Sequence, residues 1–188
     1  CCSSKSTIFL KLVWAVLAIH ISNRPIGNNM TSLNCAVLTI SDSRTLKEDT
    51  SGALLEQYIC QDGHQLAERA LVRDSIYEVR AIVSRWINDA AISVILTTGG
   101  TGFTGRDSTP EALLPLFDKT ILGFGELFRQ ISYAEIGAST IQSRAVAGIA
   151  NATLIFALPG SSNAVRTGWE KILHDQLDAS FKPCNFVE

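Results

Sequence analysis

The fold of this chain is decided by residues 96–111, which read LTTGGTGFTGRDSTPE. An apolar segment at residues 92–96 runs into a loop with four glycines in seven residues, and a Ser-Thr-Pro-Glu sequence then starts a helix. Glycine permits positive φ and a close approach of the backbone to a ligand. Free N–H groups in the loop and at the helix N-terminus direct positive partial charge toward an anion. The sequence therefore predicts an anion-binding loop between a strand and a helix.

A carboxylate stands inside this loop. Asp107 follows Arg106 at the end of the glycine-rich segment, where its negative charge would repel a bound anion. A cation between the carboxylate and a phosphate would remove that conflict, and Mg²⁺ is the usual choice because it binds both groups. We therefore expect Asp107 to help bind Mg²⁺.

Two known glycine-rich loops share part of this spacing. Residues 100–105 match G-x-G-x-x-G, but the dinucleotide-binding fingerprint opens its helix at the third glycine and has an acidic residue about 20 residues later. The same glycines have the spacing of a P-loop, but Arg106 and Asp107 stand where that loop needs lysine and then serine or threonine. A turn between strand and helix with no ligand stays open as an alternative.

Composition bounds the size and the partners of the domain. The chain has 188 residues, 46% of them hydrophobic, which is enough for one sizeable core and too little for two. Its net charge of −2 argues against a general nucleic-acid-binding protein, because binding to the phosphate backbone needs clustered Lys and Arg. We expect small molecules or further copies of the chain as partners, and no nucleic acid.

The cysteines and histidines are scattered. Five cysteines form no C-x-x-C motif and three histidines stand singly, so the sequence predicts neither a zinc site nor a catalytic histidine. The lack of a disulfide framework favours a reduced, cytoplasmic setting. Cys35 and Cys60 are expected on the apolar faces of a strand and a helix.

The first 29 residues differ in character from the rest. An apolar run over residues 8–21 contains Lys11 and is too short to span a membrane, although its length is that of a signal peptide core. The single methionine is Met30. We expect translation to start there, so that residues 1–29 are an extension and residues 30–188 form one domain. A signal or anchor is the alternative, and no membrane partner is expected.

From residue 34 onward, apolar runs alternate with helical periodicity. Strands are predicted at residues 35–40, 66–72, 92–96 and 153–158. Helices are predicted from about Thr50 to before Gly63, from a capping box of Ser75 and Glu78, from Thr109 and Pro110 to a kink or end at Pro115, and after Ser162. This order predicts an α/β domain with a parallel sheet.

Ligands of such sheets bind beyond the carboxyl ends of the strands. Four predicted loops lie there: residues 41–44, the turn at Asp74, the glycine loop through Asp107, and residues 159–162. The aspartates of two loops would converge on one crevice, and paired carboxylates commonly hold Mg²⁺ against nucleotide phosphates. The alternative for Asp74 is that it caps the helix that follows it.

Several motifs occur in an order and at separations that resemble one known family. They are TTGGTG at residues 97–102, RDSTPE at 106–111, GFGE at 123–126, SR at 143–144 and LPGS at 158–161. Together they resemble the MoaB/MogA family of molybdenum cofactor biosynthesis proteins, from about residue 34 to the C-terminus. QSRAVAG at residues 142–148 and PCNF at 183–186 resemble the MoaB branch more than the MogA branch.

The resemblance implies a three-layer α/β molybdopterin-binding fold whose sheet is mostly parallel and flanked by helices. It also implies that Mg²⁺-ATP gives AMP to the terminal phosphate of molybdopterin and that pyrophosphate is released. The family's two functional aspartates fall on Asp74 and Asp107, which would hold the Mg²⁺, and the glycine loop and Ser161 would bind phosphate. The residues implied in nucleotide or pterin binding are Ser41, Asp42, Thr98, Gly99, Gly100, Thr101, Gly102, Arg106, Thr109, Pro159, Gly160 and Ser161.

The resemblance further implies a homotrimer, doubled to a homohexamer in some members. An apolar set after the third helix is a candidate for the surface that such an assembly buries, and the alternative is that it lines the core of the protomer. The set is Ile121, Phe124, Leu127, Phe128, Ile131 and Tyr133. Two other functions stay open: a molybdopterin-binding or scaffold protein without turnover, and a nucleotide-dependent enzyme outside cofactor synthesis on the same fold.

Overall fold

The computed structural model describes residues 31–187. The predicted extension at residues 1–29 and the predicted start at Met30 lie outside the described residues. The strands are β1 (Asn34–Ile40), β2 (Gln65–Val72), β3 (Val94–Thr98), β4 (Lys119–Thr120), β5 (Val146–Ala150) and β6 (Thr153–Leu158). The helices are α1 (Thr50–Gln61), α2 (Ile76–Ile87), α3 (Thr109–Leu113), α4 (Leu122–Ile136), α5 (Ser162–Gly168) and α6 (His174–Gln176), with a π-helical turn at Trp169–Leu173 and 3₁₀ turns at Leu114–Leu116 and Gly137–Gln142. None of the helices in the described residues has the length and apolar composition of a membrane span.

The described strands form one mixed sheet with the order β2-β1-β3-β6-β5-β4. β1 pairs in parallel with both β2 and β3, and β3 pairs in parallel with β6. β5 is antiparallel to β6, and β4 is antiparallel to β5. The prediction of a mostly parallel sheet is confirmed, and the two antiparallel pairings lie together at one edge.

Helices cover both faces of this sheet, which gives the predicted three layers. Along β1, Cys35 and Val37 point to one face, and Leu38 and Ile40 point to the other. The first face packs against α1, α4 and α5, and the second packs against α2 and α3. Because the central strands are buried on both faces, their sequences are nearly continuous apolar runs. Those runs made the central strands predictable.

The predicted helices are present, with one difference at a cap. α1 ends before Gly63, whose φ of 78° is the left-handed conformation that glycine often adopts after a helix. α3 gives way to a 3₁₀ turn that contains Pro115. Ser75 is the N-cap residue of α2, but its side chain makes no capping hydrogen bond, so the predicted capping box does not form. Glu78 instead accepts a hydrogen bond from the backbone N–H of Arg73 at 3.4 Å.

β4 and β5 are elements that the sequence pattern does not predict. β4 has two residues, and β5 carries Gly148 at its centre, where glycine weakens the signal of a strand. A β-carbon on Gly148 would lie 2.3 Å from the ring of Phe117, so only glycine fits. Asn151 and Ala152, with φ of 47° and 64°, form the turn to β6. Such hairpin turns favour Asn-Gly, and the missing glycine hides the hairpin from the pattern.

Burial corrects two of the predictions for apolar residues. Cys35 is buried as expected, and burial, aided by nearby Cys60, raises the pKa of its thiol to about 12. Cys60 is exposed, so its predicted place on an apolar face is wrong. Phe124 and Phe128 are buried in the core of the protomer, which is the alternative stated for the apolar set of α4. Tyr133 from the same set is 62% exposed.

Candidate functional site

A pocket of about 560 Å³ opens at the carboxyl ends of β1, β3 and β6. Its lining comes from the loops that follow these strands, from α4 and the 3₁₀ turn after it, and from α5. β1 and β3 are neighbours, but the chain after β1 leads to α1 on one face and the chain after β3 leads to α3 on the other. Crevices between such diverging connections are where open α/β sheets bind ligands. The pocket therefore lies at the edge of the sheet where ligands are expected.

The glycine loop, residues 99–108, joins β3 to α3 and lines the pocket. Gly99 and Gly100 have φ of 107° and 62°, a region that residues with a side chain rarely adopt. A β-carbon on Gly99 would also lie 2.1 Å from the carbonyl oxygen of Ile40. Gly105 differs, because no heavy atom lies within 4 Å of the position that its β-carbon would take. The geometry therefore requires glycine at the start of the loop and leaves space for a side chain at its end.

Two amides at the start of α3 are hydrogen bonded within the protein. The backbone N–H of Thr109 donates to the carbonyl oxygen of Gly100 at 2.9 Å, and that of Ser108 donates to Asp74 Oδ1 at 3.1 Å. α3 is only five residues long, so few peptide dipoles add along it. The expectation that the N-terminus of this helix directs its amides at an anion does not hold for these two residues.

Asp74 lies on the turn after β2 and reaches across to the glycine loop. Its Oδ1 accepts hydrogen bonds from the backbone N–H of Ser108 at 3.1 Å and from the Ser108 hydroxyl at 2.7 Å. Its Oδ2 lies beside Gly100, where a β-carbon would come within 2.7 Å of it. Asp74 thus anchors the start of α3. The alternative that it caps the helix directly after it, α2, is wrong.

Asp107 lies on the glycine loop itself. Its Oδ2 accepts hydrogen bonds from the backbone N–H of Thr104 at 2.8 Å and from the Thr104 hydroxyl at 2.5 Å. Burial alone would raise the pKa of Asp107, but hydrogen bonds from Thr104 and Gly102 and the nearby charge of Arg144 outweigh burial and lower it. The carboxylate is therefore ionised at neutral pH, as a metal ligand must be.

The two carboxylates flank the loop within a short distance of its backbone. Asp74 approaches it at Gly100 and Asp107 approaches it at Gly102, where a β-carbon would lie 2.9 Å from Asp107 Oδ2. The described residues contain no group of three or more His, Cys, Asp or Glu side chains placed to hold a metal ion. Mg²⁺ does not need such a group, since one or two carboxylates and the phosphates of a substrate complete its oxygen shell. Asp74 and Asp107 therefore offer the oxygen donors that Mg²⁺ would require from the protein.

Asp42 and Arg106 form an ion pair beside the loop. Arg106 Nε lies 2.8 Å from Asp42 Oδ2. Asp42 Oδ1 also accepts a hydrogen bond from the backbone N–H of Asp74 at 3.2 Å. Asp42, Arg106 and Asp74 lie outside the lining of the pocket. Asp42 and Arg106 therefore tie the loop of Asp74 to the loop of Asp107.

Thr98 and Thr109 also bond to backbone rather than line the pocket. The hydroxyl of Thr98 donates to the carbonyl oxygen of Pro159 at 3.1 Å, and that of Thr109 donates to the carbonyl oxygen of Gly99 at 2.8 Å. The other predicted nucleotide or pterin residues line the pocket. They are Ser41, Gly99, Gly100, Thr101, Gly102, Pro159, Gly160 and Ser161.

Arg44 lines the pocket and is absent from the predicted site. Its Nη1 donates to Ser51 Oγ and to the carbonyl oxygen of Gly160, both at 3.1 Å, and so joins the loop after β1 to the loop after β6. The glycine loop has no lysine of the P-loop kind. The guanidinium of Arg44 supplies a positive charge at the pocket in its place. Its position in the predicted loop at residues 41–44 was a signal that could have identified it.

A further wall of the pocket comes from α4 and α5 and carries polar side chains beside the apolar Phe128 and Ile136. Ser132, Glu135 and Asn163 belong to this wall. Glu135 accepts hydrogen bonds from Asn163 Nδ2 at 2.9 Å and from Thr167 Oγ1 at 3.1 Å, which ties α4 to α5. The sequence pattern does not predict β5, so the position of α4 relative to the sheet could not be predicted. No sequence signal therefore marks these residues as part of the site.

A fold of this kind with this crevice belongs to a recognisable class of protein. Residues 36–179 match the family described as "Probable molybdopterin binding domain", and this match includes every loop that lines the pocket. Relatives in sequence and in structure narrow the class further. The chain belongs to the MoaB/MogA family of molybdenum cofactor biosynthesis proteins.

Three of the relatives bear the name of the MoaB branch. Molybdenum cofactor biosynthesis protein B of Escherichia coli (strain K12) is 54% identical over 151 residues, which are 80% of this chain and 89% of the relative. A crystal structure of Molybdenum cofactor biosynthesis protein B has a TM-score of 0.77 and 41% identity, covering 80% of this chain and 94% of that chain. The tungsten cofactor synthesizing protein MoaB from Pyrococcus furiosus has a TM-score of 0.70 and 38% identity, covering 78% and 94%.

These comparisons confirm the family and the three-layer molybdopterin-binding fold that the motifs imply. They also assign the chain a role in molybdenum cofactor biosynthesis. The alternative of a nucleotide-dependent enzyme outside cofactor synthesis is therefore set aside. The choice between a transferase and a binding protein without turnover is a question about the site.

Proposed function

We propose that this protein adenylylates molybdopterin with Mg²⁺-ATP. In this reaction an oxygen of the terminal phosphate of molybdopterin attacks the α-phosphorus of ATP, the bond to the β-phosphate breaks, and pyrophosphate leaves. The observation that carries the proposal is the pair Asp74 and Asp107, which flank the glycine loop at Gly100 and Gly102 beside a pocket of about 560 Å³. A pocket of that size suits one small-molecule ligand or the reacting parts of two.

The residues present suit catalysis by position and charge. The attacking phosphate is already anionic, so the reaction needs no strong general base, and holding the two phosphates in line supplies much of the rate. Asp74 and Asp107 are the residues that would hold Mg²⁺, which when bound neutralises charge on the nucleotide phosphates. Arg44 and Ser161 line the same pocket and offer hydrogen-bond donors to phosphate oxygens.

The polar side chains of the wall at α4 suit binding of a heterocyclic ligand. Ser132, Glu135 and Asn163 present hydroxyl, carboxylate and amide groups, which can both donate to and accept from the ring nitrogens of a pterin or an adenine.

A product assay tests the proposal. The purified protein is incubated with molybdopterin, ATP and Mg²⁺, and the expected products are adenylylated molybdopterin and pyrophosphate in equal amounts. Binding of molybdopterin without either product would instead support the scaffold or binding protein. A control without Mg²⁺ separates metal-dependent transfer from chemical breakdown of ATP.

The proposal includes association into a homotrimer or a homohexamer. Leu122, Tyr133 and Ile136 of α4 are exposed by 71%, 62% and 49%. Tyr133 and Ile136 follow Leu122 by about three and about four helical turns, so the three side chains share one face of α4. An exposed apolar row of this kind is typical of a surface that another copy covers in a closed symmetric assembly.

A further inference from the structure

Arg144 contacts the glycine loop at three carbonyl groups. Its backbone N–H donates to the carbonyl oxygen of Thr101 at 3.1 Å. Its guanidinium donates through Nε to the carbonyl oxygen of Gly102 at 2.8 Å and through Nη2 to that of Asp107 at 2.9 Å. Arg144 lies just before β5 and 33 residues after Glu111. It thus binds both ends of the loop.

The amides of two of these peptide groups face the opposite way, toward the aspartates. In a trans peptide the C=O and the N–H of the same group point in opposite directions. The carbonyl of Thr101 faces Arg144, and the amide of Gly102, in the same peptide, lies beside the carboxylate of Asp107 and helps to lower its pKa. The carbonyl of Asp107 faces Arg144, and the amide of Ser108 donates to Asp74 Oδ1.

The loop is therefore a layer of peptide groups with Arg144 on its carbonyl side and the two carboxylates on its amide side. The backbone N–H of Arg144 holds the Thr101 peptide, and its guanidinium holds the Asp107–Ser108 peptide. If the guanidinium released the carbonyl of Asp107, this second peptide plane would be free to rotate, and the Ser108 amide would no longer hold Asp74 in place. Arg144 itself lies outside the lining of the pocket, so its effect on a ligand there is indirect.

The guanidinium is itself held in one orientation. Nη1 forms an ion pair with Glu111 Oε1, and the guanidinium carbon lies 5.0 Å from the centre of the Phe103 ring, in a cation–π contact. A planar fork with several N–H donors can serve two carbonyls and a carboxylate at once, whereas a lysine ammonium on a flexible stem cannot reproduce that geometry.

We propose that Arg144 is a positioning residue that orients the peptide groups of the glycine loop and, through their amides, sets the positions of Asp74 and Asp107. The inference rests on the proposed function, because it assigns these two carboxylates to the adenylylation site.

Arg80 provides a matched control. It also donates to two backbone carbonyls, those of Ala112 through Nε at 3.2 Å and of Glu111 through Nη2 at 2.9 Å, but these carbonyls lie in α3 rather than in the loop. A loss common to Arg80 and Arg144 variants would reflect packing around α3. A loss confined to Arg144 variants reflects the loop.

The kinetic test compares Arg144→Lys and Arg144→Gln with Arg80→Lys and Arg80→Gln. Misplacing a catalytic group by about 1 Å can cost about 10²-fold in rate, so we expect kcat of the Arg144 variants to fall by about 10-fold to 10²-fold with a smaller change in KM for ATP. The Arg80 variants are expected to keep the kcat of the wild type. Equal kcat for wild type and both Arg144 variants, or equal losses for Arg80 and Arg144 variants, would overturn the inference.

A second measurement does not depend on activity. Amide resonances of Gly102 and Ser108 are followed by NMR. We expect Arg144→Gln to shift the Ser108 amide, because the guanidinium no longer donates to the carbonyl of the same peptide, that of Asp107. The Gly102 amide should shift less, because the backbone N–H that donates to Thr101 is kept. Arg80→Gln should change neither. If the wild type fails to adenylylate molybdopterin, these resonances still decide the role of Arg144, and unchanged resonances in Arg144→Gln would refute it.

Discussion

Asp74 lies so close to Gly100 that a β-carbon on this glycine would come within 2.7 Å of Asp74 Oδ2. The same β-carbon would lie 2.4 Å from Thr109 Oγ1, and the φ of 62° at Gly100 disfavours any side chain. We therefore predict that Gly100→Ala displaces Asp74 and lowers the adenylylation rate by about 10²-fold. Steady-state kinetics with ATP and molybdopterin measures this change.

Gly105→Ala is the control in the same loop. No heavy atom lies within 4 Å of the position of its β-carbon, so the variant is expected to keep the rate and the melting temperature of the wild type. Equal activity of Gly100→Ala and Gly105→Ala would show that the adenylylation rate does not depend on the close approach of Asp74 to the loop.

A buried aspartate outside the site is predicted to stabilise the fold. Asp49 is 2% exposed and accepts hydrogen bonds from Thr39 Oγ1 at 2.6 Å, from the Gly52 amide at 2.9 Å and from Arg69 Nη2 at 2.9 Å. Removing one partner of a buried ion pair leaves the other charge unpaired, so Asp49→Ala should lower the free energy of unfolding by about 3–5 kcal/mol. Urea denaturation measures the difference.

Glu56→Ala is the control, since Glu56 pairs with the same arginine at 2.8 Å but has a side chain that is 41% exposed. Glu56→Ala should lower the free energy of unfolding by about 1 kcal/mol or less.

The contribution of Asp49 is also predicted to depend on pH. Burial alone would raise the pKa of Asp49, but hydrogen bonds from Thr39 and Gly52 and the interaction with Arg69 outweigh burial and lower it. A carboxyl with a lowered pKa in the folded state stabilises the fold above its unfolded pKa of about 3.9, and this contribution is lost as pH falls through the folded value. The difference in unfolding free energy between wild type and Asp49→Ala should therefore be constant from pH 7 to about pH 5 and shrink below about pH 4. A difference that grows on acidification would contradict this sign.

The hairpin turn between β5 and β6 offers a stabilising substitution. Ala152 has a φ of 64°, and an L residue in this left-handed region costs about 1–2 kcal/mol relative to glycine. We predict that Ala152→Gly raises the free energy of unfolding by about 1 kcal/mol. The reverse change, Gly63→Ala, at a φ of 78° with no heavy atom near its β-carbon, should lower it by a similar amount. Thermal unfolding of the two variants should show shifts of opposite sign, and shifts of the same sign would reject the backbone argument.

The exposed row on α4 is predicted to mediate association. Tyr133→Glu places a charge on that row, so the variant should sediment as a smaller species than the wild type, which is expected as a trimer or a multiple of three at micromolar concentration. Tyr77→Glu is the control, because Tyr77 is 80% exposed on α2, away from the row. A folded and active monomer of the wild type would contradict the predicted assembly. Phe128 is not a useful probe, since it is only 2% exposed and a charge there would unfold the core.

Local sequence patterns were sufficient to predict the centre of the sheet. β1 and β3 are apolar runs buried on both faces, and the glycines after β3 are required by positive φ and by contacts with neighbouring backbone. The hairpin of β5 and β6 was not predictable in this way, because Gly148 is dictated by the ring of Phe117 and the turn lacks its usual glycine. Contacts that form only in the folded chain leave no local pattern.

The same distinction applies to the site. The polar loops after the strands were predictable, and with them Asp107 and the pocket residues of the glycine loop. The partner of Asp74 was not, because Ser108 is 34 residues away in sequence. The roles of Arg44 and Arg144 depend on carbonyl groups of distant loops, Gly160 for the first and Gly102 for the second. Only the fold brings these groups together.

The most direct test of the account compares wild type with Asp107→Asn in transfer of label from α-labelled ATP to molybdopterin. Asparagine keeps the size of the side chain and an acceptor oxygen for Thr104, but it removes the charge assigned to Mg²⁺. We predict that the wild type labels molybdopterin, that Asp107→Asn is slower by about 10²-fold or more, and that the melting temperature changes little. Near-normal label transfer by Asp107→Asn would contradict the assignment of Mg²⁺ to Asp107, and absence of transfer by the wild type would contradict the proposed adenylylation.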